Sequence, residues 1–269
     1  MSVLSHLQNL ASRLNIAEIE SDKIDRSINT LYNRLGSYFV NGDLKGRFRF
    51  GSSVRKTMLP RNADNNSDID YMIVFENAKS YKPQAFISRL KKFAEIYYSR
   101  SEIYQSFPTV VLVLGHIKFD LVPSYRSPYW GNLYIPAPRT YYTDWMETDP
   151  LSFNIRIDEA NKREDFLLKP MIRLLKYWNA NNGYIYNSYD LEQKIASMSF
   201  SNCANLKDYL FLAIYNLNAL DLSGLSEYKR QRVYIAKQIV IAIRQYEMLN
   251  CPIMAVKSKN YFQNYDNIC

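Results

Sequence analysis

The period of the hydrophobic pattern changes along this chain, and that change limits what it can fold into. Ile24, Ile28, Leu31 and Leu35 recur at i, i+4, i+7 and i+11, one face of a helix. Asp22 or Ser21 is placed to cap it, and Gly36 lies near its end. Then the period falls to two. Arg47-Phe-Arg-Phe50 alternates like a half-buried strand and runs into Gly51-Ser-Ser53. Pro60 to Ser67 is made of turn formers and reads as a loop, and Asp68 to Phe75 is the next strand. Lys82 to Tyr98 is helical, with Phe86, Leu90, Phe93 and Tyr97 on one side. Thr109–Leu114 and Ile117–Val122 form a hairpin about Gly115-His116, closed by Pro123. The proline- and aromatic-rich stretch from Ser124 to Pro150 reads as an ordered loop between lobes. After Asp158 the pattern is helical: Glu164–Asn179, Leu191–Phe200, Leu206–Leu220 and Ser226–Leu249. The tail from Ser258 shows no packing pattern. An α+β chain follows, a mixed sheet with helices and then a helical lobe, divided at 1–150 and 151–269.

Composition narrows the chemistry. Apolar residues make up 47% of the 269, enough for a core, so wholesale disorder is excluded. The net charge of +8 favours polyanionic partners such as nucleotides or nucleic acid. His6 and His116 are the only histidines, which excludes a His-based triad or a multi-His metal site. Cys203, Cys251 and Cys269 match no C-x-x-C spacing, which removes a zinc ribbon and a disulfide framework and points to a reducing cytosol. The first residues lack a basic segment followed by an apolar core, so no signal peptide is expected. The longest apolar run, Val110 to Leu114, is far too short to span a bilayer. A cytoplasmic protein that acts without a membrane is the expectation.

Three features carry chemistry together. Gly51-Ser52 follows a strand, Asp68-x-Asp70 opens the next, and Asp120 lies in the second arm of a hairpin. Residues i and i+2 of a strand point to the same side, so Asp68 and Asp70 project together. Two such carboxylates repel unless cations hold them. Asp120, between Phe119 and Leu121, faces away from both, and a neighbouring strand would bring three carboxylates together. Such a trio suits two Mg²⁺ ions, with Mn²⁺ as the alternative, since these ions take oxygen ligands. Gly51 permits close backbone approach to a phosphate, and Ser52 supplies a hydroxyl donor. Taken singly, each feature has a plain structural reading: a turn, a strand cap, a salt-bridged aspartate.

Gly51-Ser52-x-x-Arg55-x-Thr57, Asp68-Ile-Asp70 and Phe119-Asp120-Leu-Val-Pro123 together resemble the DNA polymerase β-type nucleotidyltransferases. More narrowly they resemble the bacterial cyclic-oligonucleotide synthases (CD-NTase, SMODS-like) related to cyclic GMP-AMP synthase and oligoadenylate synthetase. The resemblance covers roughly Leu44 to Phe200. It implies a polymerase β-like core with a helical second lobe across a central cleft. Asp68, Asp70 and Asp120 would then be both catalytic and metal-binding. The helix holding Lys169, Arg173 and Lys176 forms a basic stripe at i, i+4 and i+7. In the relatives it places a lysine on the triphosphate, so Lys176, helped by Arg173 or Lys169, is a nucleotide-binding candidate. Ser188-Tyr189 resembles the pair whose hydroxyl binds outer phosphates and whose ring stacks on a base; the plain alternative is that Ser188 caps and Tyr189 packs. The loop before Asp68 is long and Asn-rich, and its Arg61 would touch substrate or solvent. The zinc-ligand insertion of the animal DNA sensor is absent, so double-stranded DNA need not be the activator.

The expected activity is therefore metal-dependent nucleotidyl transfer, joining NTPs into a linear or cyclic oligonucleotide with release of pyrophosphate. The resemblance alone adds antiphage signalling and a downstream effector protein that responds to the product; the enzyme itself is expected to be a monomer. The alternative with the same chemistry is untemplated addition to a nucleic-acid 3′ end. RNA or single-stranded DNA would then be the acceptor, held by the aromatic, basic stretch Tyr125–Tyr142. A catalytically inactive nucleotide- or RNA-binding module is disfavoured by the presence of all three carboxylates. Aminoglycoside nucleotidylation is disfavoured because a polycationic acceptor wants an acidic pocket.

Overall fold

The structure, a computed structural model, describes residues 2–40, 42–128, 131–137, 144–219 and 224–249. The chain divides into two compact units, residues 16–156 and residues 1–15 with 157–269.

The first unit is built on a mixed sheet. Strand β1 (Leu44–Phe50) pairs antiparallel with β2 (Asp68–Phe75), which pairs in parallel with β5 (Lys118–Arg126). Beyond β5 lie β4 (Thr109–Val113) and the edge strand β3 (Glu102–Ser106), both antiparallel to their neighbours. One face of the sheet is mostly apolar, interrupted in β1 by Arg47 and Arg49, which stand opposite Ile73 and Tyr71. Ile69, Tyr71, Ile73 and Phe75 of β2 and Phe119 and Leu121 of β5 pack with Leu31 and Leu35 of α2 (Glu18–Tyr38) and Phe86, Leu90 and Phe93 of α4 (Pro83–Tyr97). On the opposite face Met72, Val74 and Val122 meet Leu133 of β6 (Leu133–Pro136), with Phe48 and Phe50 against them. In the first half of β2 that face turns polar: Asp68 and Asp70 stand half-buried there, opposite Lys118 and Asp120 of β5. A four-residue helix, α3 (Ser52–Arg55), follows β1 directly.

The second unit is helical. Helix α6 (Leu168–Asn181) packs on α8 (Leu206–Tyr215), with α7 (Ser188–Ala196), α9 (Glu227–Met248) and the N-terminal α1 (Val3–Arg13) around them. Helix α5 (Pro150–Arg163) runs from the first unit into the second. No helix among the described residues is long and apolar enough to cross a membrane.

Five expectations need correction. Helix α2 begins at Glu18 rather than near Asp22, and Gly36 lies inside it. The Arg47 guanidinium packs on Gly36, within 2.7 Å of where a Cβ would be, and covers the Tyr32 ring. The stretch from Ser124 is no loop: β5 continues to Arg126 and pairs with β6, which pairs with β7 (Trp145–Thr148). Pro136 ends β6 beyond the two residues that pair with β5, so its missing N–H costs no bond to that strand. The helix expected from Glu164 to Asn179 begins only at Leu168, because Asp165 and Phe166 take positive φ in the turn between α5 and α6. The domain division at 150/151 is displaced too. Val3, Leu7 and Ala11 of α1 are buried and the helix packs on α6 and α8, so it belongs with the helical unit. Finally, β3 escaped detection because it is an edge strand with four of its five residues exposed. Cys251, Cys269, the tail from Ser258 and much of the stretch up to Tyr142 lie outside the described residues.

Candidate active site

The site grows from the pairing of two strands whose sequences are some fifty residues apart. Parallel register makes Asp70 the direct partner of Asp120, and Asp68 the partner of Lys118. On its other side Asp70 is opposite Phe50, the last residue of β1, so the turn at Gly51 begins beside the Asp70 carboxylate. Gly51 has φ +73° and ψ −156°, a conformation that side-chain-bearing residues almost never adopt. A Cβ placed there would lie 1.8 Å from Asp70 Oδ2. The glycine is required by its backbone, and the space a side chain would take is filled by the Asp70 carboxylate. The turn is tied down by Thr57 N–H and Met58 N–H, which donate to the Ser52 carbonyl at 3.0 and 3.2 Å, while the fully buried Thr57 side chain lies beneath.

Asp120 is strongly perturbed. Burial, reinforced by the charge of Asp68 and opposed by Lys118, pushes it up to about 6. Its Oδ1 is shielded from solvent and meets no hydrogen-bond donor. A buried carboxylate oxygen without a donor is costly unless a cation completes it. Asp68 is engaged differently: its Oδ2 lies 3.4 Å from Lys118 Nζ. Among the described residues no three His, Cys, Asp or Glu side chains stand close enough to form a metal cage as they are. The three aspartates share a sheet face and consist of hard oxygen donors, with one orphaned oxygen among them. That donor set fits Mg²⁺ or Mn²⁺.

The remaining motif residues of this unit are structural. Arg55 is buried, donates to Asn154 Oδ1 at 3.3 Å and covers the Phe153 ring. Arg61 closes its own loop, donating through Nη1 to the Ser67 carbonyl at 3.4 Å and through its backbone N–H to Glu20 at 3.2 Å.

In the helical unit the candidates fare unequally. Lys176 is buried, and its Nζ donates to the fully buried Glu192 at 3.1 Å, tying α6 to α7. It can reach a phosphate only by exchanging that partner. Arg173 is also buried, and desolvation lowers the proton affinity of its guanidinium. Lys169 pairs with Asp158. The basic stripe is therefore not an open face. Ser188 does not cap α7: Asn187 does, accepting from the N–H groups of Tyr189 at 2.8 Å and Asp190 at 3.3 Å. Ser188 is the first helical residue. Tyr189 is 46% exposed and its hydroxyl accepts from Gln193 at 2.9 Å, so the ring is not core packing. Lys118 and Glu192 were missed. Strand alternation from Asp120 would have placed Lys118 on the carboxylate face, whereas nothing local marks Glu192 as buried.

The model of the Second Messenger Oligonucleotide or Dinucleotide Synthetase (SMODS) domain matches residues 1–161, which include Gly51, Ser52 and all three aspartates. The chain belongs to this family. Its similarity extends to a probable cyclic nucleotide synthase of Bacillus cereus strain VD146, 28% identical over 178 residues, covering 56% of this chain and 53% of the relative. It extends also to a cyclic AMP-AMP-AMP synthase of an Acinetobacter species, 22% identical over 153 residues, 56% of this chain and 43% of that protein. The matches thus span about half the length of these curated relatives. The fold is that of the CdnC structure from E. coli MS115-1 solved with ATP. The TM-score is 0.72 at 12% identity, over 97% of this SMODS chain and 96% of the other. Lys176, Ser188 and Tyr189 lie beyond the residues that the family model matches.

Proposed function

We propose that this SMODS-family chain is a divalent-metal-dependent nucleotidyltransferase that joins nucleoside triphosphates into a linear or cyclic oligonucleotide, releasing pyrophosphate. The observation that carries the reading is the Asp70–Asp120 pair beside Gly51, with its orphaned carboxylate oxygen, inside the matched family domain. The names of the two curated relatives support a cyclic product. A role in antiphage signalling through an effector that senses the product follows the same reading.

The chain's own part is positioning and charge. Gly51 and Ser52 would bring backbone and hydroxyl donors to the phosphates, and Tyr189 would give a ring for a base. Ser188, at the first turn of α7, would add a hydroxyl for the outer phosphates. Asp68, Asp70 and Asp120 would hold the ions, which supply activation of the acceptor hydroxyl and neutralisation of the triphosphate. That hydroxyl would give up its proton to solvent and attack the α-phosphorus, the new P–O bond forming as the bond from the α-phosphorus to the bridging oxygen breaks, and pyrophosphate would leave with that oxygen.

Incubation with all four NTPs and Mg²⁺, followed by mass spectrometry, tests the reading. Short products of defined length, absent from Asp68→Asn/Asp70→Asn protein, are expected. A primer-dependent ladder would replace second-messenger synthesis with nucleic-acid extension, and full turnover in the double variant would remove the metal role.

A further inference from the structure

We propose that Lys118 is the resident counter-ion of the carboxylate face, holding Asp68 in the metal-free protein and competing with divalent cations for it. The inference rests on the metal-dependent reading above and adds a residue that sets metal affinity. Register alone builds the arrangement. Asp68 opposite Lys118 and Asp70 opposite Asp120 form a two-by-two array on one sheet face, because alternate residues of a strand share a side. Three of the four positions are acidic and one is basic. The Lys118 ammonium lies 3.4 Å from Asp68 Oδ2, on a side chain only 16% exposed. On its other flank the partner of Lys118 is Val113 of β4, which offers no charge. The lysine is thus directed into the array rather than outward.

An ammonium this close to a carboxylate in a partly shielded place is a first-order competitor for any incoming cation. A divalent ion must take Asp68 from Lys118, and the released ammonium then needs an anion nearby. A triphosphate arriving with the ion supplies one. Metal and nucleotide should therefore bind with mutual assistance, and Lys118 should be the source of it.

The test is Mn²⁺ titration of the full chain, with free Mn²⁺ read by electron paramagnetic resonance, with and without a non-hydrolysable ATP analogue. Lys118→Met should bind Mn²⁺ about tenfold more tightly or better without nucleotide, since an opposite charge within about 4–6 Å moves a carboxylate's proton affinity about tenfold or more and opposes any other cation in the same way. Its affinity should change little when the analogue is added, whereas the wild type should tighten. Lys118→Arg should restore wild-type behaviour, which a merely structural role for the aliphatic stem would not require. Unchanged or weaker Mn²⁺ binding by Lys118→Met, against a wild type that binds, would overturn the lysine's role and leave the metal reading standing. If no form binds Mn²⁺, both fall together. Should Lys118→Met not fold, Lys118→Gln carries the same comparison.

Discussion

A methyl group at Gly51 separates folding from chemistry. The added Cβ would overlap the Asp70 carboxylate, which can swing aside, while the backbone there costs a non-glycine residue about 1–3 kcal/mol. Gly51→Ala is therefore expected to fold with a modestly lower unfolding midpoint yet lose most nucleotidyl transfer, because Asp70 no longer stands beside Asp120. Wild-type turnover in a folded Gly51→Ala protein would contradict that geometry. Asp120 gives a second residue-scale prediction. Its proton affinity is raised in the fold, so ionising it disfavours the native state. The cost is absent below the ordinary value of 3.8, grows as pH rises toward about 6, and is complete above that. In EDTA at pH 7.5, Asp120→Asn should be the more stable protein by about 1–3 kcal/mol, and the gain should disappear by pH 4. Mg²⁺ should raise the wild-type midpoint and leave that of the variant unmoved. Thermal melts across pH, with and without the ion, check both statements. Asp68-x-Asp70 was legible as a pair from its spacing alone. The state of Asp120 was not, since it depends on shielding by distant residues.

Among the elements, α6 and α7 share the buried Lys176–Glu192 ion pair. Removing one partner of such a pair typically costs about 3–5 kcal/mol, because the other charge is left buried and uncompensated. Glu192→Leu should therefore destabilise the helical unit strongly in urea. Lys176→Met combined with Glu192→Leu should recover much of that loss, since neither charge then needs solvation. If the double variant were as unstable as the single one, the pair would not be what ties these helices. The periodicity of α6 shows a basic stripe, yet Arg173 and Lys176 are 7% exposed. Helical spacing reports which residues share a side but not what that side meets. The edge strand β3 failed for the opposite reason, having almost no apolar face to report.

For the whole molecule, α1 places the start of the chain in the unit built mainly from its end. Val3, Leu7 and Ala11 are buried, and α1 packs against α6 and α8. Deleting residues 2–13 should reduce hydrogen-exchange protection in α6 and α8, while the amides of β2 and β5 keep theirs. Loss of protection first in the sheet would show that α1 supports the wrong unit. The mixed sheet with a following run of helices was readable from the change of hydrophobic period, and so was the family, from three short motifs. Both depend on local order: alternation, turn residues and i, i+2 spacing are written in consecutive positions. The parallel register of Asp70 with Asp120, the closeness of Lys118 to Asp68, the burial of Lys176 on Glu192 and the docking of α1 were decided by tertiary structure alone. Each brings together residues far apart in sequence. Which of them meet is fixed only when the whole apolar surface is buried at once, a collective choice that no single segment encodes.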